Sequence, residues 1–148
     1  MWSGTQRQLL DLILDELIPP GSDGRVPGAG AAGVADFFPS AARYAPDPVG
    51  AITTVLAAVA ANSPDFASLD RAGRVAVLKE AESEEPDSFA TLVRLTYMGY
   101  YSRPDIRPLF GVGAHAVHPE GYPVENGEAE RLAELTEPVR ARGAIHRD

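Results

Sequence analysis

The stretch from Phe89 to Pro104 constrains the fold of this chain more than any other, because it carries two non-polar faces on one helix. At about 100° per residue, one set of side chains has the spacing of a core-facing helix. Its members are Phe89, Leu92, Val93, Thr96 and Tyr100. A second face repeats the same spacing with Arg94, Tyr97, Met98 and Tyr101. Such a helix is either central to a core or shared with another protein.

Sequence signals mark both ends of this helix. Pro86 suits a first helical turn, where its missing N–H has no intrahelical partner to lose. Pro104 disfavours helical geometry in Arg103, so we expect the helix to end near Ser102. Gly99 lies inside it at a cost of about 1 kcal/mol relative to alanine, which a close backbone approach would explain.

Helical periodicity recurs along the chain, whereas no segment shows sustained strand alternation. The other periodic segments are residues 10–17, 31–38, 48–62, 70–81 and 128–135. We therefore expect an all-α protein, a small irregular bundle of about five helices with long Pro/Gly-rich loops. At 148 residues it is expected to form a single helical domain over residues 1–148. In the last segment, Ala129, Leu132 and Leu135 are expected to face inward.

Composition excludes several classes of function. The formal net charge of -8 argues against a nucleic-acid partner, which requires clustered Lys and Arg. No apolar run approaches the roughly 20 residues of a membrane span. The sequence has no cysteine, which excludes disulfides, iron–sulfur clusters and thiolate zinc sites. The first residues show neither a signal-peptide charge block nor a twin arginine, so we expect a cytoplasmic chain unless it is exported with a partner or loses a signal.

Two early features resemble functional sites only superficially. Asp11 and Asp15 are spaced as acid/base groups or ligands would be on a helix, but no histidine stands at matching spacing. A solvated polar face is the preferred interpretation. Gly24, Gly28 and Gly30 do not form a dinucleotide-binding loop, because a leucine-rich helix precedes them where that fingerprint requires a strand.

Candidate metal-binding sites later in the sequence also lack essential residues. The acidic run at 80–87 lacks the glycine of a calcium loop and is interpreted as a solvated helix end. Residues 104–127 form a long Pro/Gly-rich loop, a length that is usually functional or ordered by a partner. His115 and His118 lie in it without a third metal ligand at a known spacing. We therefore predict no catalytic residue, cofactor loop or metal site in this chain.

Short aromatic motifs indicate a family. Residues 96–102 read Thr-Tyr-Met-Gly-Tyr-Tyr-Ser, residues 121–123 read Gly-Tyr-Pro, and residues 137–143 read Glu-Pro-Val-Arg-Ala-Arg-Gly. Together with Leu-Ile-Pro at 17–19 and Pro-Gly-Ala at 27–29, they resemble the gluconate 2-dehydrogenase subunit 3 family. The resemblance extends over most of the chain.

This resemblance implies a non-catalytic, cofactor-free small subunit. Its partner would be a large flavoprotein of the glucose–methanol–choline type, which holds FAD and oxidises a sugar or polyol in a membrane-associated or periplasmic complex. The small subunit would bind and stabilise that flavoprotein and help it to mature. Many relatives begin with a twin-arginine export signal that this sequence lacks, so the resemblance supports a stabilising role more than an export role.

The interface expected from this interpretation combines the second helix face with the C-terminal region. The side chains expected to contact the partner are Arg94, Tyr97, Met98, Tyr101, Tyr122, Arg140 and Arg142. Residues 104–127 and an extended tail from about 137 to 148 are expected to become ordered on the partner, since few apolar side chains anchor them.

Two other functions remain open at this point. The chain is alternatively a self-contained small helical enzyme or ligand-binding protein that uses the Tyr/His-rich region 97–118. A bound small molecule or turnover by the purified chain alone would indicate this. It is alternatively a homo-oligomer whose aromatic face pairs with itself, which sizing of the isolated chain would reveal.

Overall fold

A computed structural model describes residues 2–113 and 128–142 of the chain. The described residues form five α-helices and short 3₁₀ helices, with no strand among them, so the predicted all-α fold is confirmed. The α-helices are α1 (Gly4–Leu17), α2 (Pro48–Asn62), α3 (Arg71–Glu84), α4 (Pro86–Tyr101) and α5 (Glu128–Ala141). The chain groups into two compact units, Met1–Ala116 and Val117–Asp148, which are described separately. The expected single domain stays a prediction.

Local sequence signals define both ends of α1. The Ser3 hydroxyl accepts a hydrogen bond from the Gln6 backbone N–H at 3.2 Å, and the Gln6 side chain accepts one from the Ser3 N–H at 3.0 Å. This capping box satisfies two donors that the first turn leaves unpaired. The helix ends at Leu17, before Pro19 and Pro20. Its buried face consists of Leu10, Ile13 and Leu14.

The two aspartates of α1 confirm the predicted solvated polar face only in part, because both are half-buried and bonded within the chain. Asp15 accepts a hydrogen bond from the Gly30 N–H at 2.8 Å, and Asp11 pairs with Arg7 at 3.1 Å. A Cβ on Gly30 would overlap the carbonyl oxygen of Asp11. The glycine-rich loop therefore lies directly against α1, a long-range approach that periodicity within one helix does not reveal.

The apolar stripes of α2 and α3 pack with α4 around one hydrophobic core. α3 begins after Asp70, whose carboxylate accepts a hydrogen bond from the Gly73 N–H at 2.7 Å. α3 is tied to α1 by the ion pair between Arg74 Nε and Glu16 Oε1 at 2.7 Å. The predicted stripe of α2 is buried as expected, namely Ile52, Val55, Leu56 and Val59.

Residues 31–38 do not form the single short helix that their pattern predicts. Two 3₁₀ helices, Val34–Asp36 and Phe38–Arg43, stand there instead. Gly33 adopts a φ of 73° just before the first, and Pro39 lies in the first turn of the second. Pro39 disfavours α-helical geometry in Phe38, the residue before it, and this helps to keep the segment in short 3₁₀ turns.

Gly99 of α4 is explained by close packing. A Cβ at this position would stand 2.8 Å from Phe37 Cδ1 and 3.0 Å from Val34 Cγ1, both closer than normal van der Waals contact. The missing side chain thus lets the 3₁₀ segment pack against the helix backbone, as the sequence suggested. The propensity cost of a helical glycine is offset by this contact.

The helix α5 extends beyond its predicted two turns. It runs to Ala141 and includes Pro138, so the expected extended tail is wrong for residues 137–141. A proline removes one helical hydrogen bond and can kink a helix without ending it. Leu132 and Leu135, expected to face inward, are 61% and 68% exposed. None of the described helices is long and apolar enough to cross a membrane.

Candidate protein-interaction surface

Helix α4 has one buried face and one exposed face, as its sequence predicts. Of the predicted core stripe, only Val93 is half-buried rather than buried. Leu95, which the stripe omitted, is fully buried as well, because neighbouring elements cover more than one row of this helix. The buried side of α4 comprises Phe89, Leu92, Leu95, Thr96, Gly99 and Tyr100.

The other face of α4 presents tyrosines to solvent. Tyr97 is 46% exposed and Tyr101 is 41% exposed. Their ring centroids lie 5.9 Å apart, and the ring planes are inclined by 31°. Met98 is half-buried against the core, so it contributes less surface than its neighbours. The second face identified in the sequence is therefore chiefly a tyrosine pair.

Phe110 extends this surface from outside α4. Its ring centroid lies 5.4 Å from that of Tyr101, and its side chain is 48% exposed. We define the aromatic strip as Tyr97, Tyr101 and Phe110, three exposed rings joined by ring contacts. A contiguous exposed apolar patch of this kind marks an interaction surface more often than isolated exposed hydrophobic side chains do.

A short structured segment holds Phe110 in place. Arg103 donates two hydrogen bonds to the Asp105 carboxylate, at 3.0 and 2.9 Å, and this contact lowers the pKa of Asp105. Ile106 is buried and anchors the turn to the core. The 3₁₀ helix Arg107–Phe110 follows, and Gly111 ends it with a φ of 73°.

This segment corrects part of the loop prediction. Residues 104–127 were expected to have few apolar anchors and to become ordered on the partner; Ile106 is such an anchor, and a 3₁₀ helix follows it, while ordering on a partner stays a prediction. The signal was present in the sequence, since Ile106 is an apolar residue two positions after a proline. Residues 114–127 lie outside the described part of the chain.

An open groove of about 300 Å³ lies beside the aromatic strip. Its walls come from the end of α1, the loop after it, α4 and the 3₁₀ helix before Gly111. The lining residues are Leu17, Ile18, Pro19, Gly21, Val26, Tyr97, Tyr100, Tyr101 and Phe110. Tyrosine hydroxyls are the only ionisable groups among these lining side chains, so the groove offers an apolar binding surface without an acid/base pair.

Tyr100 joins α4 to the opposite wall of the groove. The ring is buried, and its hydroxyl donates a hydrogen bond to the Pro27 carbonyl oxygen at 2.5 Å. Burial raises the pKa of the Tyr100 hydroxyl. The hydroxyl therefore stays protonated as a donor and holds the 27–30 loop over the core.

We expect Tyr100→Phe to destabilise the free chain by about 1–2 kcal/mol, because the Pro27 carbonyl loses its donor. Folding raises the pKa of the Tyr100 hydroxyl and so favours its protonated form. The stability that this group contributes is therefore fully present below the ordinary tyrosine pKa and is lost as pH rises through the raised pKa of the folded chain. Urea unfolding at neutral and alkaline pH measures both effects. Tyr44→Phe, at an exposed ring, is the matched control, and equal losses in the two variants would contradict the assignment.

Arg94 makes an intramolecular contact that the sequence did not predict. Its guanidinium donates a hydrogen bond to the Tyr44 carbonyl oxygen at 2.7 Å, which ties α4 to the end of the second 3₁₀ helix. Arg43 lies over the Tyr44 ring, with its guanidinium carbon 5.5 Å from the ring centroid. Arg94 thus contacts the backbone of Tyr44, whose ring Arg43 covers. A contact of Arg94 with a partner stays a prediction.

The remaining predicted residues lie either outside the described residues or in the second unit. Tyr122, His115 and His118 lie outside the described residues. Arg140 and Arg142 are exposed in the second unit. Across residues 2–113 and 128–142, no group of three or more His, Asp or Glu side chains is arranged to hold a metal ion.

The described residues thus form a helical fold with an exposed aromatic strip beside an open apolar groove. The chain belongs to the gluconate 2-dehydrogenase subunit 3 family, whose sequence model matches residues 4–106. The family takes its name from a subunit of a multi-subunit dehydrogenase, which agrees with an accessory role. No curated protein and no solved structure matched the chain.

The family match has a definite extent. It covers α1 to α4 and ends at residue 106, before Phe110 and before α5. The motifs at 121–123 and 137–143, which contributed to the resemblance, lie beyond the match. The tyrosine pair therefore belongs to the family region, whereas α5 lies outside it.

Proposed function

We propose that this chain is a non-catalytic small subunit that binds and stabilises an FAD-dependent dehydrogenase and helps it to mature. The partner is of the glucose–methanol–choline type and oxidises a sugar or polyol, with the FAD held in the partner. Membership of the gluconate 2-dehydrogenase subunit 3 family supports the subunit role.

The aromatic strip is the observation that carries this proposal. Tyr97, Tyr101 and Phe110 expose large rings side by side on a protein with a net charge of -8. Tyrosine and arginine are enriched at the energetic centres of protein interfaces, where few residues carry most of the binding energy. The strip combines these tyrosines with Arg94 one helical turn away, and it is the expected contact surface for the large subunit.

The groove beside the strip is the feature that favours the alternative of a ligand-binding protein. Its volume of about 300 Å³ is at the small end of ligand pockets, and it is open rather than enclosed. Its lining side chains supply no carboxylate or imidazole that would orient or activate a substrate. An apolar side chain of a partner protein fits this chemistry better than a polar metabolite does.

Purification from the native cells tests the proposal. The affinity-tagged chain is expected to co-purify with a larger subunit that shows a flavin absorbance spectrum and dehydrogenase activity on a sugar or polyol. The large subunit alone is expected to lose activity faster on warming than the complex does. Turnover or stoichiometric flavin on the isolated small chain would contradict the proposal, as would a chain that assembles only with itself.

A further inference from the structure

One wall of the groove comes from the loop that follows α1. Pro19, Gly21 and Val26 contribute the lining on this side. Residues 22–25 between them are exposed, and within the described part of the chain the polar contacts of this loop tip stay inside the tip. The Gly21 N–H, for example, donates a hydrogen bond to the Val26 carbonyl oxygen at 2.8 Å. The position of the wall therefore depends on the residues that follow, where the loop meets the helices.

Two side chains from different helices hold the base of this loop, residues 27–30. The Asp15 carboxylate of α1 accepts a hydrogen bond from the Gly30 N–H at 2.8 Å and one from the next backbone N–H at 3.3 Å. From α4, the Tyr100 hydroxyl donates to the Pro27 carbonyl oxygen. Burial contributes most to the raised pKa of the Tyr100 hydroxyl, and the charge of Asp15 raises it further. The two side chains thus act on one small region of the loop.

The base of the loop leaves no room for a side chain. A Cβ on Gly28 would overlap the same Asp15 carboxylate oxygen that accepts the hydrogen bond from Gly30. A Cβ on Gly30 would overlap the backbone carbonyl oxygen of Asp11. The Asp15 carboxylate therefore lies in the space that residue 28 leaves free, and the loop fits against α1 in a defined position.

We infer that Asp15 is a positioning residue for the groove: through the Gly30 N–H it fixes the base of the loop, and with it the wall that shares the groove with Tyr97 and Tyr101. Asp15 does not line the groove itself, so it acts through the loop. A wall that is already in place loses less conformational freedom on binding, which raises affinity for a partner. This consequence for binding rests on the proposed function, whereas the positioning is a property of the free chain.

Amide hydrogen exchange of the free full-length chain, read by NMR at Gly30, tests the positioning. Asp15→Ala is expected to speed this exchange at least about tenfold relative to amides in the middle of α4, which report overall stability. Asp15→Asn keeps an acceptor oxygen and is expected to restore most of the protection. Asp11→Ala is the matched control, because the Asp11 side chain pairs with Arg7 instead. Unchanged exchange at Gly30 in Asp15→Ala would overturn the inference.

The glycines supply a second test, a double-mutant cycle read by thermal unfolding. Gly28→Ala is expected to displace the Asp15 carboxylate and to lower the melting temperature of the free chain. When Asp15→Ala is already present, Gly28→Ala is expected to cause little further loss. Gly30→Ala meets the Asp11 backbone carbonyl, so its loss is expected to be the same in both backgrounds. Additive losses for Gly28→Ala and Asp15→Ala would contradict the assigned role of Asp15.

Binding to the immobilised flavoprotein that co-purifies with the chain relates the positioning to function. Asp15→Ala is expected to lower affinity several-fold, whereas Asp15→Asn and Asp11→Ala are expected to bind close to wild type. If Asp15→Ala binds as tightly as wild type while Tyr97→Ala binds more weakly, the role of Asp15 in binding is refuted and the proposed function stands. If the wild-type chain binds no flavoprotein, the proposed function and the binding role of Asp15 are both refuted.

Discussion

Tyr97→Ala is expected to weaken association with the large flavoprotein subunit by about 2 kcal/mol, or roughly thirtyfold, because a central aromatic ring of the interface is lost. The free chain is expected to keep its melting temperature nearly unchanged. Tyr97 is almost half exposed, and its ring neighbour within the chain is Tyr101. Titration calorimetry with the purified flavoprotein, together with thermal unfolding of the free chain, measures both quantities.

Tyr101→Ala is expected to affect both binding and stability. Its ring contacts Tyr100 at 5.0 Å and Phe110 at 5.4 Å between centroids, so truncation also removes aromatic pairs worth about 0.5–1.5 kcal/mol each. Tyr97→Phe keeps the ring and serves as the control, with binding close to wild type. If Tyr97→Ala unfolds the free chain instead, the ring belongs to the core and the interface lies elsewhere.

Leu92→Ala is expected to destabilise the free chain by about 2–5 kcal/mol, the usual cost of emptying a buried leucine site. Leu92 is fully buried on the side of α4 that packs with α2 and α3. Truncation removes its packing contacts and leaves a cavity that the surrounding helices fill only partly. Denaturant unfolding followed by far-UV circular dichroism measures the loss.

Leu132→Ala is the matched control for this substitution. The chemical change is identical, but Leu132 is mostly exposed on α5, so the stability of the free chain is expected to change by less than about 0.5 kcal/mol. If Leu92→Ala and Leu132→Ala lowered the stability of the free chain equally, the difference in burial between the two leucines would be contradicted. The comparison thus contrasts a buried leucine of α4 with an exposed leucine of α5.

Much of the fold was predictable because it depends on residues that lie close together in the sequence. The buried stripe of α2, the end of α1 before Pro19 and the two faces of α4 all follow from periodicity and from proline. The tyrosine pair was likewise predictable, since residues four apart on a helix are neighbours. Leu95 was missed because burial on more than one row of α4 depends on what packs around it.

The candidate surface was predictable only in part. Tyr97 and Tyr101 were identified, but Phe110 was not, because its approach to Tyr101 depends on the turn that Asp105 and Ile106 build. The hydrogen bond from the Arg94 guanidinium to the Tyr44 carbonyl, 50 residues earlier, was not predicted, and the predicted contact of Arg94 with a partner stays a prediction. No spacing rule connects such distant positions.

By itself, the sequence determined the helical class, the positions of α1 to α4 and the separation of a core face from a tyrosine face on α4. These properties follow from side-chain periodicity and proline geometry, which act over a few residues. Only the tertiary structure decided that Asp15 accepts a hydrogen bond from the Gly30 backbone and that Phe37 packs against Gly99. It also decided that Phe110 contacts Tyr101 and so completes the aromatic strip. Each of these depends on a contact between elements, and the energy of such a contact is set by packing in three dimensions rather than by position along the chain.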